Sequence, residues 1–333
     1  MKKPKIKYLL LVALAMLLGL LLPLTACTAT PPQQFKLRLG YFPIVESLPY
    51  FVMQEQGFAA ENGLQFEETP FPGGGALIEA LVAGSVDGGN LIGSMSLLPA
   101  AEQGLVPDKI ITVAANSFAD PDHPLAGVLS ASSVNSWQDL KGQQIAVPLI
   151  KSPAGVAVGR RMQIEGVAEY KFVEIPYANE GLAVAGGNVA AALMPEPWLT
   201  QSLLRRDGKL LGWVIGGPPF EQVQNSMIVF SADFYRNNPE AVKAYLRAQL
   251  QAVKWIDQNP EKARSVLVNR LTLSPEVGQK MKLPRFSSDG RNDPVLLENM
   301  QPVLINAGML KAPIPANKLY DETLLNEVLK EKR

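Results

Sequence analysis

An alternation of two hydrophobic periods, occurring twice along the chain, is the feature that most narrows its fold. From Lys36 the run Lys-Leu-Arg-Leu-Gly-Tyr alternates polar and apolar residues, the period of a strand, and Leu48 to Ala60 carries helical spacing that stops near Asn62-Gly63. Leu64 to Glu67 alternates again, and Pro72-Gly73-Gly74-Gly75 breaks the chain. Ala76, Leu77, Ala80 and Leu81 then form a helical stripe, and a third strand runs from about Val86 to Ile92. The same order returns with a strand at Gln144 to Pro148, a helix at Ala154 to Glu165, a strand at Lys171 to Ile175, a helix at Gly181 to Ala185 and a strand at Val189 to Met194. Strands separated by helices of this length favour right-handed crossovers, so the expected class is α/β with mostly parallel sheets flanked by helices. The wording recurs too: Val82-Ala83-Gly84-Ser85-Val86 is echoed by Val184-Ala185-Gly186-Gly187-Asn188-Val189. Two similar lobes explain the echo.

After about Asn225 the chain changes to helices with explicit start signals. Asn238-Pro239-Glu240, Asn259-Pro260-Glu261 and Ser274-Pro275-Glu276 each supply an N-cap residue, a proline at the first helical position and an acid in the first turn. The first of these helices carries Val242, Tyr245, Leu246, Leu250, Val253 and Ile256 on one face, and Asp293-Pro294 opens another expected to run to Gly308. This tail lacks strands of its own in the sequence pattern and must pack on a lobe already made. The expectation is a discontinuous lobe 1 from 36–120 and 226–333, and a lobe 2 from 121–225. Two hinge crossings join them, near Ser117 to Leu125 and Gly216 to Val229. A length of 333 residues fits two domains at roughly 100–200 residues each.

The amino terminus reads as an address. Lys2, Lys3, Lys5 and Lys7 precede an apolar run from Tyr8 to Leu22, the layout of a secretory signal, and that run is short of the ~20 residues a spanning helix needs. Leu24-Thr25-Ala26-Cys27 resembles a bacterial lipobox, and Cys27 is the chain's single cysteine. The expected processing removes 1–26, lipidates Cys27 and leaves 27–35 as a tether. The protein is then held by a lipid anchor on the extracytoplasmic face of the cell membrane. Removing four lysines and no acids leaves 27 basic against 31 acidic groups, a net charge of −4.

That balance and the sparse reactive residues exclude several functions. A mildly acidic surface with 7% aromatic residues gives no footprint for nucleic acid. One histidine and one cysteine exclude the common zinc and iron–sulfur sets. His123 lies in the polar turn Asp120-Pro121-Asp122-His123-Pro124, and no serine-hydrolase elbow, phosphate loop or zinc-protease motif occurs. The expectation is a protein without cofactor, metal or catalytic residues. What stands out is a set of loops at the carboxyl ends of the expected strands, where open α/β sheets hold ligands. They give the candidate ligand-binding residues Tyr41, Phe42, Ser47, Tyr50, Gly74, Gly75, Ser94, Met95, Ser152, Ala154, Tyr177, Asn179, Glu196 and Trp198. Hydroxyls and rings dominate, the usual lining of a small-molecule pocket, and Lys151 is the one basic residue of these loops. For Tyr41 and Trp198, core packing is an equal alternative.

Several segments together resemble the nitrate/sulfonate/taurine group of ABC-importer substrate-binding proteins, the NMT1/THI5-like family. They are Leu39-Gly40-Tyr41-Phe42, Pro49-Tyr50-Phe51, Gln56-Gly57-Phe58, Ala80-Leu81-Val82-Ala83-Gly84-Ser85-Val86-Asp87, Trp137-Gln138-Asp139-Leu140-Lys141-Gly142 and Met194-Pro195-Glu196-Pro197-Trp198. The resemblance spans Leu37 through Leu329. It implies a type II periplasmic-binding-protein fold, a monomer whose two lobes close on a small-molecule ligand, and ABC permease and ATPase subunits as partners. One departure is Val189-Ala190-Ala191-Ala192, where the family commonly has an acid after the valine. Relatives in this group bind thiamine-pyrimidine precursors, riboflavin or oxyanions. Glu46, Glu180 and Glu196 against Lys151 favour a neutral heteroaromatic such as riboflavin or a thiamine pyrimidine, stacked on Tyr41, Tyr50, Tyr177 or Trp198. Helix openings at Gly73 to Gly75 and Ser152 to Ala154 keep nitrate, sulfonate or taurine as the alternative. A surface solute sensor is the alternative class. An enzyme like the pyrimidine synthase of this fold is disfavoured by the signal segment, Cys27 and the turn position of His123.

Overall fold

The computed structural model describes residues 34–150 and 152–331. The signal segment, Cys27, the tether up to residue 33 and Lys151 lie outside the described residues. Among the described residues, eleven strands form two sheets. The first contains β1 (Phe35–Tyr41), β2 (Leu64–Pro70), β3 (Gly88–Gly93), β4 (Ile110–Ala119), β10 (Val223–Ser231) and β11 (Arg285–Phe286) in the order β11-β4-β10-β3-β1-β2. The second contains β5 (Ala126–Ser130), β6 (Gln144–Val147), β7 (Lys171–Glu174), β8 (Ala191–Pro195) and β9 (Lys209–Ile215) in the order β7-β6-β8-β5-β9.

The two sheets share one plan. In the first, β1 pairs in parallel with β2 and β3, and β10 inserts antiparallel between β3 and β4. In the second, β6 pairs in parallel with β7 and β8, and β5 inserts antiparallel between β8 and β9. Each sheet therefore receives one reversed strand from the chain that crosses over from the other. The echoed sequence segments occupy equivalent places: Gly84 and Gly187 close the helices Gly74–Val82 and Tyr177–Ala185 with φ of 70° and 72°, a left-handed turn that favours glycine.

The chain passes between sheets twice, from β4 to β5 and from β9 to β10, and the two passages lie side by side. Leu125 N–H donates to Ile215 O at 2.9 Å. Gly216 has φ 84°, and a Cβ there would meet Pro124 Cα at 2.5 Å and Asp120 O at 2.6 Å. Glycine is thus required by both conformation and space.

The tail helix Pro239–Gln258 buries Val242, Tyr245, Leu246, Leu250, Val253 and Ile256, the face its spacing marks, against the helices Leu48–Glu55 and Phe58–Glu61. Local structure differs from the sequence expectation in several places. Gly57, with φ 81°, splits the expected Leu48 to Ala60 helix in two. The expected 294–308 helix breaks into Pro294–Asn299 and Gln301–Asn306, because Pro302 has no N–H to continue the ladder. The tail is not wholly helical, since Arg285 and Phe286 pair with Phe118 and Ser117 at the edge of β4. Ser274 and Asp293 cap their own helices through Val277 N–H and Leu296 N–H. Asn238 and Asn259 instead donate back to Phe234 O and Trp255 O, closing the preceding helices.

Candidate functional site

Loops at the carboxyl ends of β1, β2, β3, β6, β7 and β8 converge on a cleft of about 490 Å³ between the sheets. Among the described residues, five helices open on it: Gly74–Val82, Ser94–Glu102, Pro153–Ile164, Tyr177–Ala185 and Trp198–Arg205. Helix openings cluster there because each strand runs toward the cleft and turns at once into its crossover helix. Their amide groups and the positive ends of their dipoles face the same space.

The walls are mostly apolar and aromatic. Phe42 and Phe71 come from the first sheet's loops and Tyr177 and Trp198 from the second's, with Leu91, Leu125, Leu193 and Ile215 on the floor. Tyr177 and Trp198 stack at 5.5 Å with 29° between their planes, making one extended platform. Gly74 lets the helix Gly74–Val82 approach the neighbouring helix opening, since a Cβ there would stand 2.8 Å from Ser96 Cβ. Among the described residues lining the cleft there is no lysine, arginine or histidine.

Of the fourteen candidate residues, Phe42, Gly74, Met95, Ala154, Tyr177, Glu196 and Trp198 line the cleft. The other seven do not. Tyr50 is fully buried, donates to Glu68 Oε1 at 2.8 Å and packs on Phe51 and Phe66, while Tyr41 packs on Tyr50 and Phe51. Tyr50 belongs to the core beneath the tail helix, and Tyr41, half-buried at the end of β1, packs against the edge of that core rather than lining the cleft. Ser47 is also buried; it donates to Phe42 O at 2.6 Å and accepts from Asn90 Nδ2 at 2.7 Å, which ties down the loop after β1. Ser94 spends its hydroxyl on Gln224 O at 2.6 Å, and Ser152 caps its helix while donating to Leu149 O at 2.6 Å. Gly75 and Asn179 are exposed and outside the lining.

The three acids of these loops have three different environments. Glu196 is buried, and its carboxylate accepts from Thr200 N–H, Thr200 Oγ and Lys282 N–H at 3.2, 2.8 and 3.2 Å. Burial pushes its pKa up and those three donors pull it down. Glu180 is fully buried with no hydrogen-bond partner on either oxygen among the described residues, and burial pushes it up to about 9. Glu46, absent from the fourteen, lines the cleft half-buried, with Oε1 accepting from Asn225 Nδ2 and from Ser117 Oγ at 3.2 Å. Burial raises its pKa, opposed by the hydrogen bonds of Asn225 and Ser117. Asn225 also lines the cleft and was missed by sequence reasoning, as were Phe71, Leu125 and Ile215. Asn225 and Ile215 lie on crossing strands whose neighbours are decided only when the two lobes assemble.

The comparisons with known proteins agree with this architecture. The model of a family described as NMT1-like matches residues 30–271. The riboflavin-binding protein RibY of Chloroflexus aurantiacus is 25% identical over 90% of each chain. The taurine-binding periplasmic protein of Escherichia coli is 28% identical over 61% of each chain. Among solved structures, the periplasmic aliphatic sulphonate binding protein SsuA of Escherichia coli superposes with a TM-score of 0.69 at 18% identity, covering 88% of this chain and 100% of that one.

Proposed function

The chain belongs to the NMT1-like family, and on that premise we propose that it is the extracytoplasmic solute-binding component of an ABC importer. It holds one small nutrient in the cleft and delivers it to a permease driven by an ATPase. The observation that carries this reading is the cleft itself: an apolar, ring-lined space of about 490 Å³ between two α/β sheets of one plan, joined by two adjacent crossings. A ligand touching both walls favours the closed arrangement by its differential affinity for it, and the closed form is the one the permease receives. The Leu24-Thr25-Ala26-Cys27 segment supports retention at the membrane by a lipid on Cys27. Among the described residues, no helix is long and apolar enough to cross a membrane.

The ligand we favour is a neutral heteroaromatic vitamin or precursor, riboflavin or a thiamine pyrimidine. The stacked Tyr177–Trp198 platform and the two phenylalanines opposite suit a flat ring, and a relative named for riboflavin extends over 90% of the chain. A second reading, an oxyanion such as nitrate, a sulfonate or taurine, draws support from the five helix openings and from the taurine- and sulphonate-binding relatives. A sensor that passes occupancy to a membrane partner would use the same cleft and differ only in that partner.

A thermal-shift panel of riboflavin, a thiamine pyrimidine, taurine, an alkanesulfonate and nitrate on the Cys27→Ser protein tests the choice. Saturation at about 100 times the dissociation constant adds about 2.7 kcal/mol. Riboflavin or the pyrimidine is expected to stabilise the protein, and Trp198→Ala to weaken that binding at least about tenfold with the fold retained. A shift with the oxyanions alone selects the second reading.

A further inference from the structure

We infer that Glu46 is the residue by which the cleft selects its ligand: it takes an N–H edge of a flat nitrogen compound, a positively charged edge in preference, and turns oxyanions away. The inference rests on the reading of the cleft as the solute site.

Its first support is the care with which the fold holds this carboxyl. Glu46 sits in a single 3₁₀ turn, Val45–Ser47, that hydrogen bonds pin from several sides. Ser47 donates to Phe42 O, and Asn116 Nδ2 donates to Glu46 O at 3.1 Å. Behind it a buried polar chain continues: Asn116 Nδ2 donates to Ser226 Oγ at 3.0 Å, Ser226 and Ser117 share a bond of 2.6 Å, and Gln249 Nε2 donates to Asn116 Oδ1 at 3.0 Å. Asn116, Ser117, Ser226 and Gln249 are at most 4% exposed. Buried polar groups of this number fix a geometry that an apolar core would not.

The second support is what remains unsatisfied. Glu196 spends both oxygens on Thr200 and Lys282, and Glu180 is sealed off from solvent. Glu46 commits Oε1 to Asn225 and Ser117, while Oε2 accepts no hydrogen bond among the described residues. It is thus the acid of the lining with an acceptor to spare. The rings that share the lining, Phe42, Phe71, Tyr177 and Trp198, carry the negative faces that attract a cation. The helix openings oppose this preference, but each amounts to about half a charge and fades within a turn, against a full charge on an ionised carboxylate. They also favour the ionised form of Glu46. Tyr177 faces Glu46 from the other sheet's helix, and Glu196 is the second acid of the lining. Burial raises the pKa of Glu46, so its preference for a cation grows as pH rises and the carboxyl ionises.

Titration calorimetry with benzamidinium, benzamide and benzoate, one shape in three charge states, tests the selection. Benzamidinium is expected to bind at least about tenfold tighter than benzamide, and benzoate not measurably. Glu46→Gln, checked for folding by its unfolding temperature, is expected to erase the benzamidinium advantage and leave benzamide unchanged. If that variant does not fold, the native protein still decides, since its benzamidinium affinity is expected to rise with pH as Glu46 ionises while that of benzamide stays flat. Benzoate binding as tightly as benzamidinium, a ratio indifferent to Glu46→Gln, a flat pH profile, or no binding of any of the three overturns the inference. Trp198→Ala separates that failure from failure of the cleft as the solute site. If it weakens whichever compounds bind, including those of the nutrient panel, the site stands without Glu46 as its selector; if it changes none of them, the site reading falls as well.

Discussion

Glu180 is the most exceptional single residue. A fully buried carboxyl with no hydrogen-bond partner among the described residues is neutral at pH 7, because burial raises its folded pKa to about 9, far above its ordinary 4.5. The folded protein holds a proton there that the unfolded chain releases, so this group's contribution to stability is complete below about pH 4.5. It is lost progressively as pH rises toward 9. Glu180→Gln is expected to remove that decline, with a gain at pH 9 on the order of a few kcal/mol over the unmodified protein and little difference at pH 5. Urea unfolding at the two pH values measures it. The sequence placed Glu180 with Tyr177 in the loop before a helix expected at Gly181 to Ala185, whereas the helix starts at Tyr177 and includes both. The helix Tyr177–Ala185 turns Tyr177 to the cleft and Glu180 to the interior, a rotation fixed by its packing on β8 and on the helix Trp198–Arg205.

At the scale of elements, the start signals differ in what they do. Asp293 accepts from Leu296 N–H at 3.0 Å, whereas Asn238 donates to Phe234 O at 3.4 Å and caps nothing ahead of it. Asp293→Ala is therefore expected to cost about 1 kcal/mol of unfolding free energy and Asn238→Ala less than half of that, read by chemical denaturation. Proline at the first helical turn marked the start in both cases, because its fixed φ and missing N–H are local properties. The side chain's partner was not local: Asn238 and Asn259 each have the end of a preceding helix within reach and spend their amides there. The two-residue strand β11 was invisible for a related reason. It has no period to read and exists because the edge of β4 offers unpaired backbone groups.

At the scale of the molecule, Glu196 joins what the sheets divide. It follows β8 in the second sheet, while the Lys282 N–H it accepts belongs to the segment leading into β11 of the first. The helices Pro275–Lys280 and Trp198–Arg205 touch beside it. Glu196→Ala is expected to raise amide hydrogen exchange at Lys282 by about tenfold or more, and Glu196→Gln, which keeps an acceptor, to leave it nearly unchanged. Equal exchange in the two variants would show that the bond does not hold the sheets together. A residue read from the sequence as a ligand contact thus lines the cleft with its oxygens already committed to the fold.

The sequence by itself determined the α/β class, the duplicated plan, the crossings and the loops that meet at the cleft. Strand and helix periods, glycine turns and proline starts are written within a few residues of where they act, and a parallel strand sends its following loop to one end of the sheet. Tertiary structure alone decided which side chains those loops present. Tyr50 and Ser47 went to the core, Tyr41 to its half-buried edge, Phe71, Leu125, Ile215 and Asn225 joined the lining, and Glu46, Glu180 and Glu196 took three different environments. Burial and hydrogen-bond supply depend on residues far away in the chain, as the 179-residue separation of Glu46 and Asn225 illustrates, and no local pattern encodes them.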